Sequence, residues 1–120
     1  MTTFFAVISE GGPAWDRGKP MREQDAWPAH AAFMNALAET GFVVLGGPLG
    51  DGSTHRALLI VEAPRELEVE RRLAEDPWSR KGLLTVTSID QWEILLDGQG
   101  PDQPASSSTA RARPLSSRPE

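Results

Sequence analysis

Three short runs of this chain are apolar at both odd and even positions: residues 4–8, 42–45 and 57–61. Side chains alternate between the two faces of a strand, so runs of this kind must be covered on both sides. Only two helical segments, residues 26–40 and 64–75, are present to cover them. Two helices lie on one face of a sheet. The other face needs a second source of cover, and that requirement limits the folds open to the chain.

The order of elements narrows the choice further. Residues 4–8 read as a first strand, stopped by Gly11-Gly12-Pro13. A polar stretch over residues 10–25 follows and carries Trp15. Connections of this length often border binding sites, and otherwise serve as a surface crossing with the tryptophan pinned to the core. The first helix is expected over residues 26–40, with Asp25 as N-cap, Pro28 in the first turn and Gly41 as the stop. Phe33, Met34 and Leu37 form one stripe, and His30 lies on it one turn earlier. A second strand over 42–45 ends at Gly46-Gly47-Pro48, Asp51-Gly52 marks a turn, and 57–61 return as the third strand. The second helix opens at Pro64 and carries Leu67, Val69, Leu73 and Ala74, with Glu68 and Arg72 as a favourable pair. It ends near Glu75, because Pro77 disfavours helical backbone at Asp76. The fourth strand covers residues 83–95, broken by polar 88–90 before Trp92, which is expected in the core.

β-α-β-β-α-β is the order of an α+β ferredoxin-like sandwich, an antiparallel sheet with its helices on one face. The uncovered apolar face is then expected to pair with that of a second copy, giving a homodimer built as a dimeric α/β barrel. The folded domain is expected over residues 1–97. Residues 98–120 are rich in Pro, Ser and Arg, with one leucine and no aromatic residue, and are expected to be a disordered tail.

Composition excludes several function classes. The formal charge of -5 provides no basic footprint for nucleic acid. With no cysteine among 120 residues there is no disulfide, thiolate metal site or cysteine nucleophile, which fits a reducing cytoplasm. No apolar run approaches the roughly 18 residues of a membrane span, and the apolar start lacks the basic flank of a signal peptide. Two histidines without supporting carboxylate spacing give no metal signal.

Topology gathers the remaining candidates. The start of the first helix, the end of the second strand and the end of the second helix fall at one edge of the sheet. His30, Gly46-Gly47-Pro48 and Asp76-Pro77-Trp78 therefore meet there, beside the long first loop. His30 and Asp76 are the candidate catalytic residues, the imidazole as base or acid and the carboxylate as its orienting partner. Taken alone, each has an ordinary reading: a satisfied histidine on an apolar helix face, and an Asp-Pro turn. In this placement Asp76 stands against the negative end of the second helix dipole. Trp15, Gly47, Pro48 and Trp78 are the candidate substrate-binding residues, and His55 is placed on the surface.

These motifs, in this order, resemble the YCII-related (YciI-like) family of the dimeric α/β-barrel superfamily. The resemblance covers residues 3–95 and rests on His30 opening the first helix, Gly41-Phe42 through Gly47-Pro48-Leu49, and Asp76-Pro77-Trp78. Gly12-Pro13-Ala14-Trp15 is similar to the loop of one branch of that family. The resemblance implies a ferredoxin-like protomer, paired sheets, and a pocket with a histidine and an aspartate, here His30 and Asp76. It implies a small enzyme working without a cofactor or metal; a related protein is a dehydrochlorinase acting on a chlorinated hydroxyhydroquinone. The expected chemistry is His-Asp acid/base elimination, lyase or isomerisation chemistry on a small, aromatic or hydroxylated compound. The alternative is a ligand-binding or accessory domain without turnover. The long first loop and the compact Gly50-Asp51-Gly52-Ser53 turn depart from the shorter members of the family.

Overall fold

The computed structural model describes residues 2–98. Apart from Gly98, the tail expected over 98–120 lies outside the described residues. The elements run β1 (Thr3–Gly11), α1 (Trp27–Glu39), β2 (Val43–Pro48), β3 (Arg56–Ala63), α2 (Glu66–Leu73), α3 (Pro77–Arg80) and β4 (Leu84–Trp92), with one 3₁₀ turn at Met21–Glu23 before α1. The four strands form one antiparallel sheet in the order β2-β3-β1-β4. This is the ferredoxin-like arrangement, with a short third helix added before β4.

Register assigns the faces. Phe5 pairs with Val61, Val7 with Leu59 and Ser9 with Ala57, so these side chains share one face. Phe5, Val7 and Val61 are buried there with Met34 and Leu37 of α1, Phe42 and Val43, and Val69 and Leu73 of α2. The core is therefore the helix-side half of the sandwich. On the opposite face Phe4 pairs with Trp92, and Ala6 with Ile60. Leu45 joins that row beside Ile60. Leu45 is 49% and Trp92 42% exposed, so the second apolar face is only partly covered within one chain. Trp92, expected in the core, stands on this open face because its register partner is Phe4.

Several boundaries differ from the sequence reading, each for a local reason. β1 runs on to Gly11, whose N–H donates to the His55 carbonyl at 3.0 Å. Gly46, Gly47 and Pro48 do not end β2 but form its last half, pairing with Leu59, Leu58 and Ala57. Proline is tolerated there because β2 is an edge strand. β4 is not broken at 88–90: Ile8 pairs with Ser88 and Ser9 with Val86, leaving Thr87 as the extra residue of a bulge. Asp25 does not cap α1. The N-cap is Ala26, at φ 62, with no side-chain bond. Asp25 is turned away by other partners, its carbonyl accepting from the Trp78 indole at 2.7 Å and its carboxylate lying 3.7 Å from Lys81. α2 is shorter at both ends than the expected 64–75.

The first loop is fastened to the body. The side chain of Gln24, 4% exposed, donates to the carbonyls of Asp16 and Lys19 and accepts from the Asp16 N–H. Gly12 presses against the turn after α3, its N–H donating to the Leu83 carbonyl at 2.8 Å. A Cβ on Gly12 would lie 2.4 Å from the Gly82 carbonyl oxygen, which is backbone and cannot rotate away. Gly12→Ala is therefore expected to destabilise the fold by about 1–3 kcal/mol, the range for overpacking. Thermal unfolding checks this; an unchanged melting temperature would mean that the loop lifts off freely.

Candidate active site

Asp76 has one role beyond the sequence expectation. It stands just past the end of α2, its N–H donating to the Leu73 carbonyl at 3.2 Å, and it also serves as the N-cap of α3, with Pro77 in the first turn and its carboxylate accepting from the Trp78 N–H at 3.0 Å. The cap fixes the carboxylate in one orientation. Both of its oxygens lie 2.9 Å from Nδ1 of His30, which projects from the first turns of α1. Residues 46 positions apart in sequence thus meet in a buried pair, with side chains 9% and 6% exposed.

The tautomer follows from the partner. An ionised carboxylate only accepts, so Nδ1 carries the proton that it donates to Asp76. In the neutral ring this leaves Nε2 with its lone pair, available to whatever enters the site. Trp78 stacks on the imidazole with ring centroids 3.8 Å apart and an angle of 7° between the planes. Trp27 leans on both, at 5.7 Å from His30 and 5.6 Å from Trp78. The histidine is held by a hydrogen bond in its plane and an indole on its face, so it has little freedom to turn.

An open cavity of about 860 Å3 runs past this pair, lined by His30, Trp27, Trp78, Ser9, Pro48 and His55 among others. Its volume falls within the roughly 300–1,000 Å3 common to small-molecule sites. The lining continues onto Phe4, Leu45 and Trp92 of the open sheet face.

Of the candidate substrate-binding residues, Gly47, Pro48 and Trp78 line the cavity. Trp15 stands behind the wall instead, stacked on His55 at 4.0 Å and set edge-on to Trp78 at 5.3 Å. His55 is not a surface residue. It is partly buried and lines the cavity. Trp27, which opens the stretch leading to His30, is not among the sequence candidates for the site; its place in the first turn of a helix that opens on a histidine is the available signal. Among the described residues, no group of three or more His, Cys, Asp or Glu side chains is arranged to hold a metal ion. No helix among them is long and apolar enough to cross a membrane.

His55 titrates below its ordinary value of 6.5, first because burial disfavours the charged ring and second because of the charge of His30. A lowered value in the folded state means that the unfolded chain binds this proton more readily. The contribution of His55 to stability is thus full above pH 6.5 and is lost as pH falls toward its folded-state value. His30→Gln removes the neighbouring charge and is expected to move the His55 titration part of the way back up, since burial remains. Proton NMR of the imidazole C–H signals reads this directly, and superimposable His55 curves would show that the rings are not coupled.

Among curated proteins none matches the chain. Among solved structures, it is similar to 5-chloro-2-hydroxyhydroquinone dehydrochlorinase (TftG) from Burkholderia phenoliruptrix AC1100, in complex with 2,5-dihydroxybenzoquinone. The two share 24% identity with a TM-score of 0.53, over 74% of this chain and 93% of that one. At this level the likeness is one of fold, the protomer of the dimeric α/β barrel. The sequence profile of the YCII-related domain matches residues 3–93, and the chain belongs to that family.

Proposed function

We propose that the protein is a small enzyme in which His30 is the general base, Asp76 holds it in the productive tautomer, and the ligand is a small hydroxylated ring compound. The observation that carries this reading is the buried pair itself. Nδ1 is committed to both carboxylate oxygens at 2.9 Å, while the ring lines an open cavity. A histidine buried only for packing would also need an acceptor for its N–H, but it would not need an open cavity beside the ring. The reaction class is proton abstraction. A proton passes from a carbon or hydroxyl of the ligand to Nε2, and its electron pair forms a new double bond. Either an anion such as chloride leaves, or the proton returns at another atom, giving elimination or isomerisation.

The aromatic walls Trp27 and Trp78 and the chemistry of the structurally similar dehydrochlorinase support a planar ring as ligand. The partly covered face carrying Phe4, Leu45 and Trp92 supports a homodimer with sheets face to face, which would also close the open side of the cavity. Thermal-shift and turnover assays with chlorinated and unchlorinated hydroxyhydroquinones, with light scattering on the same samples, test both parts. A melting temperature raised by a ring compound, product formation and twice the mass of one chain are expected. Stabilisation without product would leave a ligand-binding domain, and a stable monomer would remove the paired sheets.

A further inference from the structure

The sheet side of the cavity presents two polar side chains that the His-Asp pair does not use. Ser9 lies on the helix-side face of β1, and its partner Ala57 shares that face. His55 stands two residues before Ala57, and its carbonyl accepts from Gly11, two residues after Ser9. The continued register makes Ser9 and His55 diagonal neighbours on one face. Both line the cavity together with His30. Ser9 is only 6% exposed. Among the described residues, neither its hydroxyl nor the His55 ring has a hydrogen-bonding partner, and no fully buried side-chain polar atom lacks one. Their polar atoms therefore reach the cavity surface. A serine buried by nine-tenths with its hydroxyl left for the cavity forgoes a protein partner that such groups ordinarily have.

We propose that Ser9 and His55 form a second polar subsite, which hydrogen-bonds an oxygen of the ligand at the end remote from the one taken by His30. This rests on the reading of His30 as the ligand-facing base and deepens it, because it sets the class of ligand. The preferred compound is a planar ring with oxygens on opposite sides, its apolar body between the indoles and Pro48. Trp15 acts through His55. By stacking on one ring face at 4.0 Å it fixes the plane in which the imidazole nitrogens point.

The test uses the full chain and two probes, 2,5-dihydroxybenzoquinone with oxygens around the ring and phenol with one. Affinities are measured by titration calorimetry for the wild type, Ser9→Ala, His55→Phe and His30→Gln. His55→Phe keeps an aromatic ring against Trp15 and removes both nitrogens. Ser9→Ala and His55→Phe are each expected to weaken the quinone about tenfold, the effect of one hydrogen bond, and to leave phenol unchanged. Equal losses for both probes, or none, overturn the subsite. A loss in His30→Gln alone overturns the subsite and leaves the proposed function standing. No loss in any variant also overturns the subsite, while the proposed function is decided separately by the turnover of His30→Gln. Failure of the quinone to bind the wild type overturns the ligand class and the subsite with it.

Discussion

Asp76→Ala is expected to lower the stability of the fold by about 2–4 kcal/mol. Two costs combine. The buried Nδ1–H of His30 loses its acceptor, worth about 1–3 kcal/mol for an unsatisfied group. α3 loses its N-cap, worth about 1 kcal/mol. In a domain of this size such a loss corresponds to a drop in melting temperature of roughly ten degrees or more. Asp76→Asn keeps a carbonyl oxygen that can accept from both Nδ1–H and the Trp78 N–H, so less than half of that loss is expected. Thermal unfolding of the three proteins at one concentration separates the contributions. Equal losses in the two variants would show that the charge of the carboxylate, not hydrogen-bond acceptance, holds the site together.

The largest effect on activity is expected from His30→Gln. Glutamine can still donate an N–H toward Asp76, so the carboxylate is not stranded and the fold stays within a few degrees of the wild type. What is lost is the basic Nε2. General-base catalysis contributes typically about 10²–10⁴-fold, and the turnover number for any ring compound that the wild type converts should fall by that factor. Asp76→Asn should also reduce turnover, because an amide does not enforce the Nδ1–H tautomer as a carboxylate does. Steady-state kinetics with both variants checks this. Turnover retained in His30→Gln would remove the imidazole from the chemistry.

The fold was legible because periodicity and parity carry it. Apolar runs at 4–8, 42–45 and 57–61 mark β1, the start of β2 and β3, and register then decides which half of each run meets the helices. The meeting of His30 with the Asp76 turn followed from topology alone, since both lie at the same end of the sheet. What sequence missed has identifiable causes. α3 is four residues long, too short for any hydrophobic period to show. Yet aspartate followed by proline is itself a helix-start signal, an N-cap before the first-turn position that proline tolerates. His55 shares parity with Ala57, Leu59 and Val61, which already placed it on the helix side. The sequence places Trp92 in the core, and only its pairing with Phe4 shows which face it occupies. The αL backbone at Ala26 carries no sequence mark, because an alanine at φ 62 is imposed by what surrounds it.

The crowding of indoles around the histidines also shapes what the protein reveals optically. The chain has four tryptophans and no tyrosine, so its near-ultraviolet emission comes from the indoles alone. Trp27 and Trp78 line the cavity, Trp15 backs it, and Trp92 lies where the lining passes onto the open sheet face. None belongs to the cluster of Phe5, Val7, Met34 and Val61 that holds the sandwich together. Intrinsic fluorescence is thus a reporter of the cavity, its rim and the buried Trp78 beside it. A quinone entering the cavity beside Trp27 would quench part of this signal, and a denaturation curve followed by emission would register the loss of this wall, to be set beside the melting of the sheet seen by circular dichroism.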